Sequence, residues 1–195
     1  SLRRMIAFSS VAQIGYIFMG IGMGTMAGVR ASIYHIFAHS AAKSLAFIAA
    51  AGLIRASNNQ ADIVYLKGAG YRNKIAGIGY AASTLSMVGI PGFAGFISKV
   101  MFAKASLDSE FLAVTVLSAL AISTLLNAIY FMRVAIVIYT PLSKEEKAAG
   151  KINAPIANHR FYALAIIGFI VLNIVIGVAE SFVGNMIASG LATFG

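Results

Sequence analysis

Two histidines and two lysines in apolar surroundings are the residues of this chain that could do chemistry. His35, His39 and Lys43 stand at i, i+4 and i+8 within an apolar stretch from about 29 to 55. On an α-helix that spacing makes one stripe, each step about 6 Å along the axis. Lys99 follows the run Gly89-Ile-Pro91-Gly92-Phe-Ala-Gly95-Phe-Ile-Ser98 in another apolar stretch, from about 75 to 106. A low-dielectric medium disfavours an ammonium, so a lysine placed there can give up and regain a proton near neutral pH. Imidazole does so at its ordinary pKa. The chemistry on offer is proton relay: His35 and His39 stand between water and Lys43, and Lys43 and Lys99 are charged alternately. Taken singly, either histidine is explained as a satisfied core residue, and the Lys99 stem can reach the interface from a helix end. The trio on one face, with Lys43 near the middle of its span, favours the relay.

The elements that hold these residues must be membrane helices. The chain of 195 residues is 59% hydrophobic and 11% charged, where a soluble domain carries about a quarter charged residues. The formal net charge of +9 fits loop lysines and arginines that set orientation, and no basic run interleaved with aromatics suggests nucleic acid. The absence of cysteine excludes thiolate-held iron–sulfur clusters, disulfides and catalytic thiols in this chain. Three histidines and few carboxylates suggest no metal site, and no cofactor motif or catalytic side-chain set is found, so any redox centre belongs to partners. Ser1, with no initiator Met and no signal-peptide pattern, suggests the later part of a longer protein or a processed one.

A span of about 20 residues crosses the hydrocarbon, and five stretches qualify. The first, about 5 to 25, carries Ser9, Ser10, Gln13 and Tyr16 as a polar stripe that should face protein. The second holds the histidine–lysine stripe. A polar connector follows from Arg55 to Lys74, with one short helical turn expected after Asp62. The third, 75 to 106, should break at Gly89, Pro91, Gly92 and Gly95, because Pro91 lacks an N–H and clashes with the preceding turn. Hydrocarbon cannot satisfy the freed carbonyls, so Ser83, Thr84 and Ser86 are expected to bond them, and protein or a wet cavity to cover them. The fourth, about 111 to 139, contains Asn127 and Arg133; Arg133 is read either as reaching the interface or as a supporting ion pair. The loop 140–159 is a solvated charge run. The fifth starts near Arg160 and runs to Ala179, with a mildly apolar tail. On this count Arg3, Arg4, Arg55, Lys67, Arg72, Lys74, Lys144, Lys147, Lys151 and Arg160 share one side, against Arg30 and Lys104 on the other. The positive-inside rule then places the chain start in the cytoplasm and the C-terminus outside.

Three runs carry a resemblance: Leu2-Arg-Arg-Met-Ile-Ala-Phe-Ser-Ser-Val-Ala-Gln-Ile-Gly-Tyr16, His35-Ile-Phe-Ala-His39-Ser-Ala-Ala-Lys43-Ser-Leu-Ala-Phe and Gly89-Ile-Pro-Gly-Phe-Ala-Gly-Phe-Ile-Ser-Lys99. In this order they resemble the antiporter-like proton-translocating subunits shared by respiratory complex I, the multi-subunit cation/proton antiporters and the membrane-bound hydrogenases. The resemblance implies an all-helical fold of fourteen helices with two inverted five-helix repeats, of which this chain is similar to the part from the tenth helix onward. It implies a second repeat over 1–139, incomplete at its start, a cytoplasmic loop 140–159, and an additional helix with its tail over 160–195. His35, His39 and Lys43 match the family's central relay, and Lys99 the ionisable residue of its second broken helix, which is glutamate in one type of complex I subunit. Ser98, Tyr16, Gln13 and Arg133 are the expected supporting groups. The family usually carries an acidic residue and a lysine near the first helix, where this chain has Ser1, Arg3 and Arg4. Implied partners are other membrane subunits, the missing N-terminal repeat and the bilayer, with protons, or sodium as well, as the ions moved. The implied setting is a bacterial or archaeal cytoplasmic membrane, or an equivalent energy-transducing one. The leading expectation is a subunit of a redox-driven NADH:quinone oxidoreductase. Its rivals are a subunit of a sodium/proton antiporter or hydrogenase, and a structural membrane subunit whose lysines are inert.

Overall fold

The computed structural model describes residues 1–107, 110–143 and 160–193. The described residues are helical throughout, without strand: α1 (Leu2–Gly22), α2 (Met26–Arg55), a 3-10 turn (Ile63–Leu66), α3 (Ala69–Arg72), α4 (Lys74–Val88), α5 (Ala94–Ala105), α6 (Glu110–Tyr139), α7 (Arg160–Val178) and α8 (Glu180–Ala192). Four of these are long and apolar enough to cross a membrane, namely α1, α2, α6 and α7. The chain is an integral membrane protein. The third expected span is two helices of 15 and 12 residues, each shorter than a crossing requires.

Helix α2 is the axis of the bundle. Of its membrane-length segment 56% is buried, against 28%, 17% and 22% for α1, α6 and α7, and it touches α1, α4, α5, α7 and α8. Its sequence explains this. Ala31, Ala38, Ala41, Ala42, Ala46, Ala49 and Ala50 are all buried, and small side chains let backbones approach closely where no hydrophobic gain drives association in lipid. Thr25 starts the helix by accepting a hydrogen bond from the Gly28 N–H at 3.1 Å, one of the orphan donors of a helix start. Large apolar residues on the outer faces of α1, α6 and α7, such as Phe8, Phe18, Ile122 and Val171, are exposed, as membrane-facing residues should be.

The connector from α2 to α4 is a compact knot. Arg72 is buried and donates to the carbonyls of Ala56 at 2.8 Å and Lys67 at 3.0 Å, and to Ser57 Oγ at 3.1 Å. The short turn after Asp62 is the 3-10 segment. The charge run with Lys144, Lys147 and Lys151 lies outside the described residues. The tail after the fifth stretch is helical again, α8 being set off from α7 at Ala179.

Candidate functional site

The expected polar stripe of α1 faces inward: Ser9, Gln13 and Tyr16 are buried, and Ser10 is partly so. Opposite it stands the stripe of α2. His35 and His39 stack one turn apart, ring centroids 5.9 Å from one another and planes 15° off parallel. Tyr16 and Phe102 pack edgewise on His35, at 5.4 Å and 5.6 Å between centroids. The Tyr16 hydroxyl approaches Ser123 and Thr124 of α6 without forming a good hydrogen bond.

His35 Nδ1 lies 3.0 Å from Ser98 Oγ, and that hydroxyl donates to the Gly95 carbonyl at 3.1 Å. With its proton committed, Ser98 accepts from Nδ1–H, which leaves the lone pair of neutral His35 on Nε2. Among the described residues, buried Nε2 has no hydrogen-bond partner, and neither has buried Gln13 Nε2. Both residues line a small cavity of about 10 Å³ with His39, Ser86, Gly95 and Lys99. That is room for about one water molecule, in surroundings with enough polar partners to hold it.

Lys99 reaches this cavity from across the helix break. A helix through residue 91 would give the Met87 carbonyl the N–H of residue 91, but Pro91 has none. Helix α4 instead ends at Gly89 with φ +90°, a left-handed cap suited to glycine. Lys99 Nζ donates to the Val88 carbonyl at 2.6 Å and the Met87 carbonyl at 3.3 Å. Its stem runs over Gly89, where a Cβ would come within 3.0 Å of Nζ. Gly95 lies so near the Ser86 carbonyl that a Cβ there would collide with it, so the start of α5 packs directly on the last turn of α4. The expectation that Ser83, Thr84 and Ser86 bond the freed carbonyls is incorrect. Ser83 and Thr84 both donate back to the Tyr80 carbonyl of their own helix, and Ser86 donates to Asn173 of α7. Short hydroxyl side chains on a helix reach their own preceding turn first, whereas the four-carbon lysine stem spans the gap.

Lys43 points at α1. Its Nζ donates to the Ile6 carbonyl at 2.5 Å and to Ser9 Oγ, and sits 5.8 Å from the centre of the Phe131 ring of α6. Lys43 therefore shares the stripe of the histidines but not their cavity. Two open grooves approach the lysines from outside, one of about 340 Å³ between α1 and α6 that reaches Ser9, the other of about 560 Å³ between α5 and α6 that reaches Lys99. Arg133 lies on the exposed face of α6 and does not join the cluster. Among the described residues no group of histidines and carboxylates could hold a metal ion.

Residues 1–126, which contain α1 to α5 and every residue of this cluster from the first half of the bundle, match the transmembrane family described as NADH:quinone oxidoreductase/Mrp antiporter. The chain belongs to that family. Among curated relatives, this antiporter-family chain is 28% identical over 167 residues to NADH-quinone oxidoreductase subunit N of Halorhodospira halophila, covering 86% of the chain and 34% of the relative. It is 32% identical over 161 residues to subunit N 1 of Sorangium cellulosum, covering 80% and 30%. It is 33% identical over 146 residues to subunit L of Campylobacter jejuni, covering 74% and 24%. The chain thus spans about a third or less of the length of these relatives.

Sequence reasoning left four members of the assembly out of the site. Ser9 was visible only as part of a polar stripe, the carbonyls of Met87 and Val88 carry no side-chain signature, and Asn173 meets Ser86 from 87 residues away.

Proposed function

We propose that this chain is the second antiporter-like half of a proton-translocating subunit in a redox-driven complex of the NADH:quinone oxidoreductase type. In this reading α4 and α5 together make one broken span, giving five crossings, with the chain start in the cytoplasm and 160–195 an additional helix and tail beside the repeat. The observation that carries it is convergence. His35 and His39 from α2, Gln13 from α1 and Lys99 from α5 line one small cavity, with Lys43 one turn further along the same stripe. Protons pass between Lys43 and the histidines once the Lys43 stem swings from α1 or a water bridges the gap, and leave by Lys99. Ser98 fixes the His35 tautomer, and Gln13 and Tyr16 border the path. No redox centre is needed within the chain; the driving energy comes from partner subunits, at about 2.3 kcal/mol per charge against 100 mV.

The test is Lys43→Ala in the intact assembly, with proton pumping, driving-reaction turnover and assembly level measured together. Pumping is expected to fall by at least tenfold at unchanged assembly, about 1.4 kcal/mol or more of barrier. Wild-type pumping and turnover per assembled complex would make the stripe structural. A second reading, a sodium/proton antiporter subunit, draws on the family description, which names the Mrp antiporter as well. A sodium-dependent pH change in vesicles that lack electron donors would favour it.

A further inference from the structure

Helix α7 lies beyond the residues that match the family, yet it holds the break at two points and is tied to α2 at a third. Asn173, fully buried in an apolar helix, accepts from Ser86 Oγ at 2.9 Å and donates to the Phe169 carbonyl of its own helix at 3.0 Å. Ser86 is in the last turn of α4. One turn on, Gly177 lies against the start of α5: a Cβ there would come within 2.7 Å of Phe93 C, 2.8 Å of the Ala94 nitrogen and 2.9 Å of the Gly92 oxygen. Between the two, the carbonyl of Ile176 accepts from the hydroxyl of Tyr34 at 2.6 Å, which ties α7 to α2 one residue before His35. Both hydrogen bonds of Asn173 matter, because an orphaned amide in lipid costs several kcal/mol.

From these contacts we propose that α7 is a clamp on the helix break, and that Asn173 and Gly177 are positioning residues. Asn173 fixes the end of α4 and Gly177 fixes the start of α5. The offset between them sets where the Lys99 ammonium stands relative to the Met87 and Val88 carbonyls and to the His35–His39 cavity. The clamp touches no proton itself. It acts through Lys99, and so rests on the proposed role of that lysine.

The experiment uses the intact assembly with Asn173→Leu, Asn173→Thr, Gly177→Ala and the pair Ser86→Ala/Asn173→Leu. Amide hydrogen exchange across Gly89 to Phe93 is read beside protons moved per turnover. Asn173→Leu leaves the Ser86 hydroxyl unpaired, and exchange at the break is expected to rise about tenfold, the scale of one lost buried hydrogen bond. Translocation is expected to fall about threefold or more with it. Asn173→Thr, whose hydroxyl can accept from Ser86 and donate to Phe169, should keep most of the activity. Removing the stranded hydroxyl in the double variant should return part of what Asn173→Leu loses, a non-additivity expected only of groups in contact. Gly177→Ala should raise exchange in the same segment and provides the test should Asn173→Leu fail to assemble. Unchanged exchange in both overturns the clamp whatever pumping does. Raised exchange with wild-type translocation, where Lys43→Ala stops translocation, overturns the positioning role and leaves the proposed function standing. If Lys43→Ala also pumps normally, the proposed function has failed, and exchange alone then decides the clamp.

Discussion

Lys43 and Lys99 are both held by backbone carbonyls, without a carboxylate partner among the described residues, but the carbonyls differ. Lys43 lies against a turn of α1 whose helix is intact, and takes a hydroxyl and an aromatic face as well. Lys99 sits on the end of α4, on two oxygens whose helical partners are missing because one would be Pro91 and the other lies past the left-handed cap. A helix C-terminus carries a partial negative charge of about half an electron, and a cation there is favoured. The consequence is an asymmetry of departure. If the Lys43 ammonium leaves or loses its proton, α1 keeps its ladder; if Lys99 does, the half-buried end of α4 loses its cap.

The largest effect should therefore come from Lys99→Met in the assembled complex. It strands two half-buried carbonyls at about 0.5–1.5 kcal/mol each, and both the thermal midpoint of the detergent-solubilised complex and proton pumping should drop. Adding Pro91→Ala restores an N–H for Met87, so the double variant should regain part of the lost midpoint while pumping stays low. A midpoint untouched by Lys99→Met would remove the distinction between the two lysines. Next comes Gly89→Ala, which forces a side chain into a left-handed backbone at about 1–2 kcal/mol and crowds the Lys99 stem. Its stability loss should shrink in a Lys99→Ala background, which removes the Cδ, Cε and Nζ atoms that crowd it, and a loss of equal size in both would mean that only the backbone matters. Smallest is Ser9→Ala. It removes one of the two acceptors of Lys43 and leaves the Ile6 carbonyl, so a cost of about 0.5–1.5 kcal/mol and a few-fold change in pumping are expected, with the fold intact.

What the chain revealed before its structure depended on whether the signal was local. The stripe His35–His39–Lys43 is a statement about one helix, and spacing alone places the three on a face. The interruption at Gly89–Gly95 is equally local, since proline and glycine act on their own turn, and the structure interrupts the helix between Val88 and Ala94. Partners across helices were not legible. Three hydroxyls near the break offered themselves as caps, and nothing in their order said that two would fold back on Tyr80 while the third turned to α7. Arg133 could be read from sequence as a supporting ion pair, but its angular position on α6 points it outward, an outcome fixed by packing around Phe131 and Val134. Asn173 reads as an isolated polar residue in an apolar helix until Ser86 is placed beside it.

Because the acceptors at Met87 and Val88 are peptide oxygens, they are present whatever side chains occupy those positions. Drift at 87 and 88 can change volume and polarity without deleting the seat of the lysine. Length is another matter. Dropping one residue between Gly89 and Phe93, which lie outside both helices, would take up to about 3.8 Å of chain out of that short connection and carry Lys99 off the carbonyls, with every functional side chain still in the sequence. The inheritance of this site is therefore guarded less by which residues stand at the break than by how many.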